Sequence, residues 1–300
     1  MGDYTGMIRM ESTCLSCLLK RDIDLIPESA TEEERYRYKQ QLLRIAADAE
    51  RTVSPPEIAR DIQHLQIGMF GHQVDYPQIK SYFNEKMMQY VPQTEERIRQ
   101  AADPLRRALQ FSMCGNYIDF GVPQNVTEEM LERILADSEN IRIDDAVLQE
   151  IRSSLERARS VVFLHDNCGE IVMDKLLIAE IRRQFPQAKV TSVVRGGEIV
   201  NDVTMEDAIQ VGMQEVADVV ANGDDVAGTC LMRITEELRQ ILRGADIIFA
   251  KGQGNFETLR GSDMNTFYMF LCKCEVFERR FDVSAFTGMI VHERDAQRVR

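Results

Sequence analysis

The chain has 300 residues, of which 44% are hydrophobic and 28% are charged, a composition typical of a globular protein with a sizeable core. Its formal net charge of -13 argues against a nucleic-acid-binding surface, because phosphate backbones are bound by clustered Lys and Arg. No stretch approaches the roughly 20 apolar residues that cross a bilayer, and no signal peptide is visible, so we expect a cytoplasmic protein that binds neither membrane nor nucleic acid.

The first half of the chain is predicted to be helical. The sequence TEEE at residues 31–34 is a capping box that opens one helix. The sequence SPPE at residues 54–57 starts another, with proline in the first turn, where its missing N–H group costs nothing. Further helical periodicity covers residues 78–90, 93–113 and 127–135. We therefore expect residues 1–150 to form a helical region that packs on and caps the functional site.

Short runs rich in Val, Ile and Phe alternate with helical segments in the second half. The predicted strands are Ser160–Leu164, Lys189–Val194, 247–250 and Thr266–Leu271. Strands that alternate with helices imply crossover connections and a parallel sheet covered on both faces. The expected fold class is therefore α/β: residues 151–300 form a Rossmann-like, mostly parallel sheet flanked by helices, preceded by the all-helical region.

Asp166 and Asn167 directly follow the first predicted strand, in the stretch FLHDNCGE. In open parallel sheets, ligands bind outside the carboxyl ends of the strands. A carboxylate oxygen and a carboxamide oxygen suit Mg²⁺ or another divalent cation that keeps positions open for water and phosphate. The alternative is that one of these residues is only the N-cap of the following helix.

A second acid, Asp202, follows the second predicted strand. A metal ligand contributed by a neighbouring strand would lie there, and Asn201 is beside it. Thr204 and Asp207 also form a capping pattern, so a plain turn followed by a helix cap is the alternative for this segment.

A lysine and a glycine-rich loop follow the third predicted strand. Lys251 leads into Gly252, Gln253, Gly254 and Asn255, in which the two glycines permit close backbone approach and Asn255 is expected to cap a new helix. A lysine beside exposed amides suits a phosphoryl group. The loop lacks the GxxxxGK[ST] pattern, which disfavours nucleoside triphosphate hydrolysis.

The stretches HDNCGE, NDVTMEDA and KGQGNFE, with Asp174 downstream of the first, together resemble the metal-dependent damage-control phosphatase family. The segment CGNYIDFG at residues 114–121 resembles the GNxxDFG element of that family. The pair Cys14 and Cys17 resembles the CxxC motif of its prokaryotic branch. The resemblance extends roughly from Cys14 to Cys274, with matching order and spacing.

The resemblance implies a phosphatase that hydrolyses small phosphorylated metabolites, such as sugar phosphates or damaged and surplus cofactor precursors. It implies a divalent cation, Mg²⁺, Mn²⁺, Co²⁺ or Ni²⁺, held by Asp166, Asn167 and Asp202. It also implies that Asp166, Asn167 and Lys251 are the catalytic residues. The residues expected to bind substrate are Asn116, Asp119, Lys251, Gly252, Gly254 and Asn255.

Two other functions remain as alternatives. A eukaryotic relative has been proposed to methylate protein carboxyl groups, so one alternative is an S-adenosylmethionine-dependent protein carboxyl methyltransferase, although no glycine-rich loop follows the first strand. The other is a non-catalytic protein that binds a phosphorylated metabolite. For the phosphatase, a metal-oriented water is preferred over Asp166 as the nucleophile, because Cys168 replaces the second acid of a DxD motif.

The seven cysteines are an odd number and are expected to be reduced thiols. Cys14 and Cys17 have the spacing of half a zinc site or of a redox pair, but the chain has no second CxxC, so a structural or secondary role is expected. His165 is expected to point to the opposite face of the strand from Asp166 and to serve packing.

Overall fold

The computed structural model describes residues 10–117 and 127–298. Its strands are β1 Ser160–Leu164, β2 Lys189–Val194, β3 Asp218–Ala221, β4 Ile247–Lys251, β5 Thr266–Leu271 and β6 Gly288–His292. They form one sheet in the order β3-β2-β1-β4-β5-β6. All neighbouring strands are parallel except β6, which pairs antiparallel with β5. The predicted α/β class with a mostly parallel sheet is confirmed.

Helices surround this sheet and form most of the chain before it. In the described ranges they are α1 Ser12–Asp22, α2 Glu32–Asp48, α3 Pro55–Phe70, α4 Tyr76–Met88, α5 Val91–Gln100, α6 Pro104–Cys114, α7 Glu128–Asp137, α8 Asp145–Arg157, α9 Glu170–Gln184, α10 Met205–Gln210, α11 Glu236–Arg243, α12 Gly252–Leu259, α13 Glu275–Phe281 and α14 Glu293–Ala296. None of these helices is long and apolar enough to span a membrane.

Local sequence signals explain where many of these elements begin and end. The capping boxes predicted at Thr31 and Ser54 open α2 and α3. The single helix predicted for residues 93–113 is wrong, because α5 ends at Gln100 and α6 begins at Pro104. Proline lacks the N–H group that would continue a helix, and the Asp103 side chain accepts a hydrogen bond from the Arg106 amide to cap the new one.

The sequence analysis did not predict two of the strands. Both β3 and β6 are short strands at the two edges of the sheet, and their residues are mostly only partly buried. An edge strand needs no continuous apolar run, so neither segment stands out by composition. The four strands that the sequence predicted are all present, and the third extends by one residue to Lys251.

Both faces of the sheet are covered by helices. On one face, the rings of Phe163, Phe249 and Phe267 stack across β1, β4 and β5, with centroids 5.8 and 6.2 Å apart. They belong to a hydrophobic cluster that also contains buried residues of α6 and α9. The opposite face packs against α11, α12 and α13. The cluster that contains α6 and α9 includes residues from both sides of position 150. The predicted division of the chain near residue 150 therefore stays a prediction.

The strand order places a crevice at the carboxyl ends of β1 and β4. The chain runs outward from β1 through β2 to β3 and then returns to β4 on the other side of β1. Such a reversal leaves the loops after the two central strands diverging in opposite directions, which is where ligands bind in open α/β sheets. Asp166 follows β1, and Gly252 follows β4, so both lie at this reversal.

We expect Phe256→Ala to lower the free energy of unfolding by about 3–5 kcal/mol, because it removes a buried ring. The Phe256 ring lies 5.0 Å from Tyr268 and 5.1 Å from Phe277, centroid to centroid. Urea denaturation measures the change. Tyr36→Ala is the control, since Tyr36 is 68% exposed and should change stability by less than about 0.5 kcal/mol. Similar losses for the two variants would contradict the packing described.

Candidate active site

Asp166 and Asn167 lie in the turn between β1 and α9, and neither caps the helix. The N-cap of α9 is Gly169, which has a φ of 69° and makes no side-chain capping bond. This left-handed conformation favours glycine and lets the chain turn sharply after Asn167. The alternative of a plain N-cap for Asp166 or Asn167 is therefore wrong, and Asn167 Nδ2 instead donates to Asp166 Oδ2 over 2.6 Å.

Backbone pairing joins the loops after β1 and β2. Asn167 and Asp202 form an isolated antiparallel bridge, and the Val203 amide donates to the Asp166 carbonyl over 2.9 Å. Thr204 and Asp207 do form the predicted capping box of α10, but Asp202 lies before it and takes no part. The two acids predicted as metal ligands therefore come from directly adjacent segments.

Arg195, which the sequence analysis did not single out, lies between these two acids. It follows β2 directly and is 1% exposed. Its Nε donates to Asp202 Oδ2 over 2.8 Å, and its Nη2 lies 4.0 Å from Asp166 Oδ1. Neither Nη atom has a hydrogen-bond partner within the described part of the chain. Buried donors are rarely left unpaired, so these nitrogens are candidate contacts for a ligand.

The carboxyl groups at this site are crowded and buried. Burial raises the pKa of Asp166 to about 8, and the nearby carboxylates of Asp202 and Glu170 add to the rise. Burial also raises the pKa of Asp202, although Arg195 opposes this. A cation between the acids would stabilise their ionised forms. Two carboxylates and the Asn167 carboxamide form the oxygen-rich donor set that hard divalent cations accept, so these residues fit a metal.

Lys251 is completely buried at the end of β4. Its Nζ donates to Glu170 Oε1 over 2.5 Å, to Asp174 Oδ1 over 2.6 Å and to the Ser112 carbonyl over 2.9 Å. Burial lowers its pKa, but the two carboxylates outweigh this and raise the pKa overall. The sequence analysis expected this ammonium group close to the phosphate. Its three N–H groups are instead occupied by protein atoms, and a role toward phosphate remains a prediction.

Glu170 connects the predicted residues and was also missed. Besides Lys251, it accepts a hydrogen bond from Asn116 Nδ2 over 2.7 Å and from Asn167 Nδ2 over 3.4 Å. A Cβ atom at Gly115 would lie 2.9 Å from the Glu170 side chain, so only glycine fits there. Asn116 thus contacts the site through Glu170, whereas Asp119 lies outside the described residues. The sequence signal that could have identified Glu170 is its position as an acidic residue at the start of α9.

His165 belongs to the buried network around Asp174, and its orientation opposite to Asp166 stays a prediction. Its Nδ1 lies 3.0 Å from Asp174 Oδ2, and its Nε2 lies 2.7 Å from Ser192 Oγ. Burial would raise the pKa of Asp174, but Lys251 and His165 lower it overall. His165 is therefore a hydrogen-bonded part of the core beneath the site.

The loop after β4 passes very close to Asp166. Gly252 has a φ of 81°, and a Cβ atom there would lie 2.1 Å from Asp166 Oδ2. Only glycine permits this approach. A Cβ atom at Gly254 would likewise lie 2.0 Å from the Ala227 carbonyl oxygen. These two contacts explain why glycine is required at positions 252 and 254. They also place the start of α12 against the Asp166 carboxyl group.

Asn255 does not cap a helix as the sequence analysis expected. Helix α12 already begins at Gly252, so Asn255 lies inside its first turn. Its buried Nδ2 donates to the His165 carbonyl over 3.0 Å and to the Lys251 carbonyl over 2.7 Å. The side chain therefore ties the ends of β1 and β4 together.

The cysteines do not form a preformed metal site. In residues 10–117 and 127–298, the only group of three His, Cys, Asp or Glu side chains with mutually close ligand atoms is Glu150, His292 and Asp295, which contains no cysteine. Both His292 nitrogens already have hydrogen-bond partners, and Arg294 pairs with both acids of this group. Burial raises the pKa of the Cys14 thiol, which disfavours the thiolate that would bind a metal.

These features define an α/β protein with a Rossmann-like sheet and acidic side chains beyond the carboxyl ends of its central strands. The damage-control phosphatase ARMT1-like domain family matches residues 10–285, so the chain belongs to that family. The resemblance noted from the sequence motifs is thereby confirmed.

Known relatives resemble the chain over almost its whole length. A damage-control phosphatase of Archaeoglobus fulgidus is 31% identical over 295 residues, which cover 92% of this chain and 96% of the relative. The damage-control phosphatase PH1575 of Pyrococcus horikoshii is 29% identical over 291 residues, covering 92% and 95%. The crystal structure of this DUF89 family protein from P. horikoshii superposes with a TM-score of 0.79 at 26% identity, covering 95% of this chain and 99% of that one.

We expect Lys251→Met to lower the free energy of unfolding by about 3–5 kcal/mol, because it leaves Glu170 and Asp174 buried without their cation. Chemical denaturation at neutral pH measures the change. Lys175→Met is the matched control, since Lys175 pairs with the largely exposed Glu215 and should contribute less than about 1 kcal/mol. A loss no larger than that of the control would contradict the structural role assigned to Lys251.

Proposed function

We propose that this chain is a divalent-metal-dependent phosphomonoester hydrolase acting on small phosphorylated metabolites. The observation with most weight is the pair of buried, unpartnered Nη atoms of Arg195 between Asp166 and Asp202. A site that combines buried acids with a guanidinium group whose two Nη atoms lack hydrogen-bond partners suits a cation and a phosphate bound together. Relatives named damage-control phosphatases support the same reaction class.

In this proposal, Asp166, Asn167 and Asp202 hold the cation. The metal would supply positive charge to the phosphoryl oxygens and polarise a water for attack. Asp166 and Asp202 come from the loops after two adjacent strands, so the bridge between those loops sets their separation without relying on a flexible segment. Water is favoured over Asp166 as the nucleophile, because Cys168 supplies no second acid for a covalent route.

Arg195 is proposed to bind the phosphoryl group. Asp202 engages its Nε, which fixes the plane of the guanidinium group before substrate arrives. The two Nη atoms then offer a planar pair of donors, and such a fork matches phosphate oxygens well. Donors that are already oriented need no reorganisation as charge develops on the phosphoryl oxygens.

The start of α12 is proposed to contribute to the same phosphate site. The first amide groups of a helix have no intrahelical partners and favour an anion. Gly252 and Gly254 bring this helix start against the site, while Asn255 fixes it to β1. Lys251 and Asn116 are assigned positioning roles, since both engage Glu170, which in turn accepts from Asn167.

The methyltransferase alternative has less support. The segment after β1 contains Asp166 and Asn167 in place of the glycine-rich loop that would bind S-adenosylmethionine. The acids that crowd this segment would also repel the carboxylate of that cofactor.

We expect the purified protein to hydrolyse p-nitrophenyl phosphate and members of a phosphometabolite panel, and EDTA to abolish this activity. Adding back Mg²⁺, Mn²⁺, Co²⁺ or Ni²⁺ in turn should restore it and identify the preferred metal. Asp202→Asn should lower kcat by about 100-fold or more, since even residues that only support a metal ligand often cost 10–100-fold. Asp218→Asn, an exposed acid on β3, is the control. Full activity in EDTA would contradict the metal requirement.

Arg195→Lys provides a separate test of phosphate binding. Lysine keeps the positive charge but loses the planar fork, so we expect the inhibition constant of inorganic phosphate to rise about tenfold or more. Arg182→Lys, which changes a surface residue of α9, should leave that constant unchanged. A melting curve of each variant establishes that it is folded. An unchanged inhibition constant in folded Arg195→Lys would rule out this role.

A further inference from the structure

A cavity of about 490 Å³ lies beside the candidate active site, and none of the predicted site residues lines it. One side is formed by α3 and by the segments that connect α1 to α2 and α3 to α4. The other side is formed by Ile199, Val200 and Ala227, from the loops that follow β2 and β3. Cavities of several hundred Å³ are of the size that binds small molecules.

The cavity and the candidate active site share two wall segments. Val200 lines the cavity and lies two residues before Asp202. Ala227 lines it as well, and its carbonyl oxygen packs directly on Gly254. A molecule in this cavity would therefore lie against both the acidic loop after β2 and the glycine loop after β4.

The turn that forms part of the shared wall has an unusual backbone conformation. Val200 has a φ of 44°, a left-handed conformation that is strongly disfavoured for a β-branched residue. The Asp202 amide donates to the Ile199 carbonyl over 3.0 Å, and buried Lys80 donates to the Asp202 carbonyl over 3.2 Å. These bonds hold the turn in place, and strain maintained in this way is concentrated at functional sites.

The lining of the cavity is mainly apolar and includes large side chains that solvent reaches. Leu25 and Val74 both line it, and they remain 49% and 41% exposed. Ala59, Ile62 and Ile199 extend the apolar surface inward. An apolar group would bury these side chains favourably. The lining also includes polar side chains, among them Gln63, Gln66 and His72, so a few polar substituents on that group would find hydrogen-bond partners.

We propose that this cavity binds the organic group of the substrate, and that this group is a largely apolar chain or ring. The proposal rests on the function proposed above, with the phosphate bound at Arg195 and the organic group lying past Val200 into the cavity. Ala59 is then a specificity-determining residue. Its small side chain on α3 leaves open the space that the organic group fills.

Calorimetry with n-alkylphosphonates from methyl to octyl, in the presence of Mg²⁺, tests this without requiring turnover. We expect affinity to rise about three- to fourfold per methylene until the cavity is filled. Ala59→Leu should flatten this dependence, because it lowers the affinity for octylphosphonate far more than the affinity for methylphosphonate. Ala47→Leu is the matched control, because it makes the same change at an exposed position of α2. Steady-state hydrolysis of the corresponding n-alkyl phosphates should show the same trend in kcat/KM.

Affinity that does not depend on chain length, or a dependence that Ala59→Leu leaves intact, would overturn the proposal. So would a sugar phosphate that is hydrolysed with a higher kcat/KM than every alkyl phosphate in the series. If length-dependent binding is present but no phosphate ester is hydrolysed, the cavity assignment stands and the proposed hydrolase function fails. If methyl phosphate is hydrolysed as well as octyl phosphate, the function stands and the cavity assignment fails.

Discussion

The ion cluster of Lys251 with Glu170 and Asp174 is the constraint on which the candidate active site depends. All three side chains are fully buried, so each charge requires the others to offset the cost of leaving water. The cluster joins the end of β4 to the first turns of α9, and through the Ser112 carbonyl it also joins α6. Its geometry therefore sets how the helical half of the chain meets the sheet.

From this cluster, hydrogen bonds lead toward the site on one side and into the core on the other. Glu170 contacts Asn167 and Asn116, whereas Asp174 contacts His165. Above the cluster, Arg195 lies between Asp166 and Asp202, and the glycines of the β4 loop allow α12 to approach Asp166 closely. Buried charge thus fixes the frame, and Asp166 and Asp202 lie next to it as the proposed metal ligands.

The strand-end loops and the first helices make different contributions around this frame. Loops at the carboxyl ends of the strands supply the charged groups suited to a metal and a phosphate. The helices α1 to α3 and their connections supply most of an apolar cavity next to those loops. In the proposed function, such an arrangement would separate the chemistry from recognition of the organic group. A change at Ala59 would then alter substrate preference without touching the acids.

The sequence by itself determined the elements and residues that depend on local signals. Capping boxes at Thr31 and Ser54, and apolar runs in the central strands, need only neighbouring residues. The strand-end rule drew attention to Asp166, Asn167 and Asp202, and the family resemblance implied their role as metal ligands, which stays a prediction. The edge strands β3 and β6 were not predictable in this way, because half-exposed pairing leaves little compositional trace. The contacts of Arg195, Glu170 and Lys251 were decided only by the tertiary structure. Glu170 meets Lys251 across 81 positions and Asn116 across 54, and such long-range pairing of buried charges has no signature in local sequence.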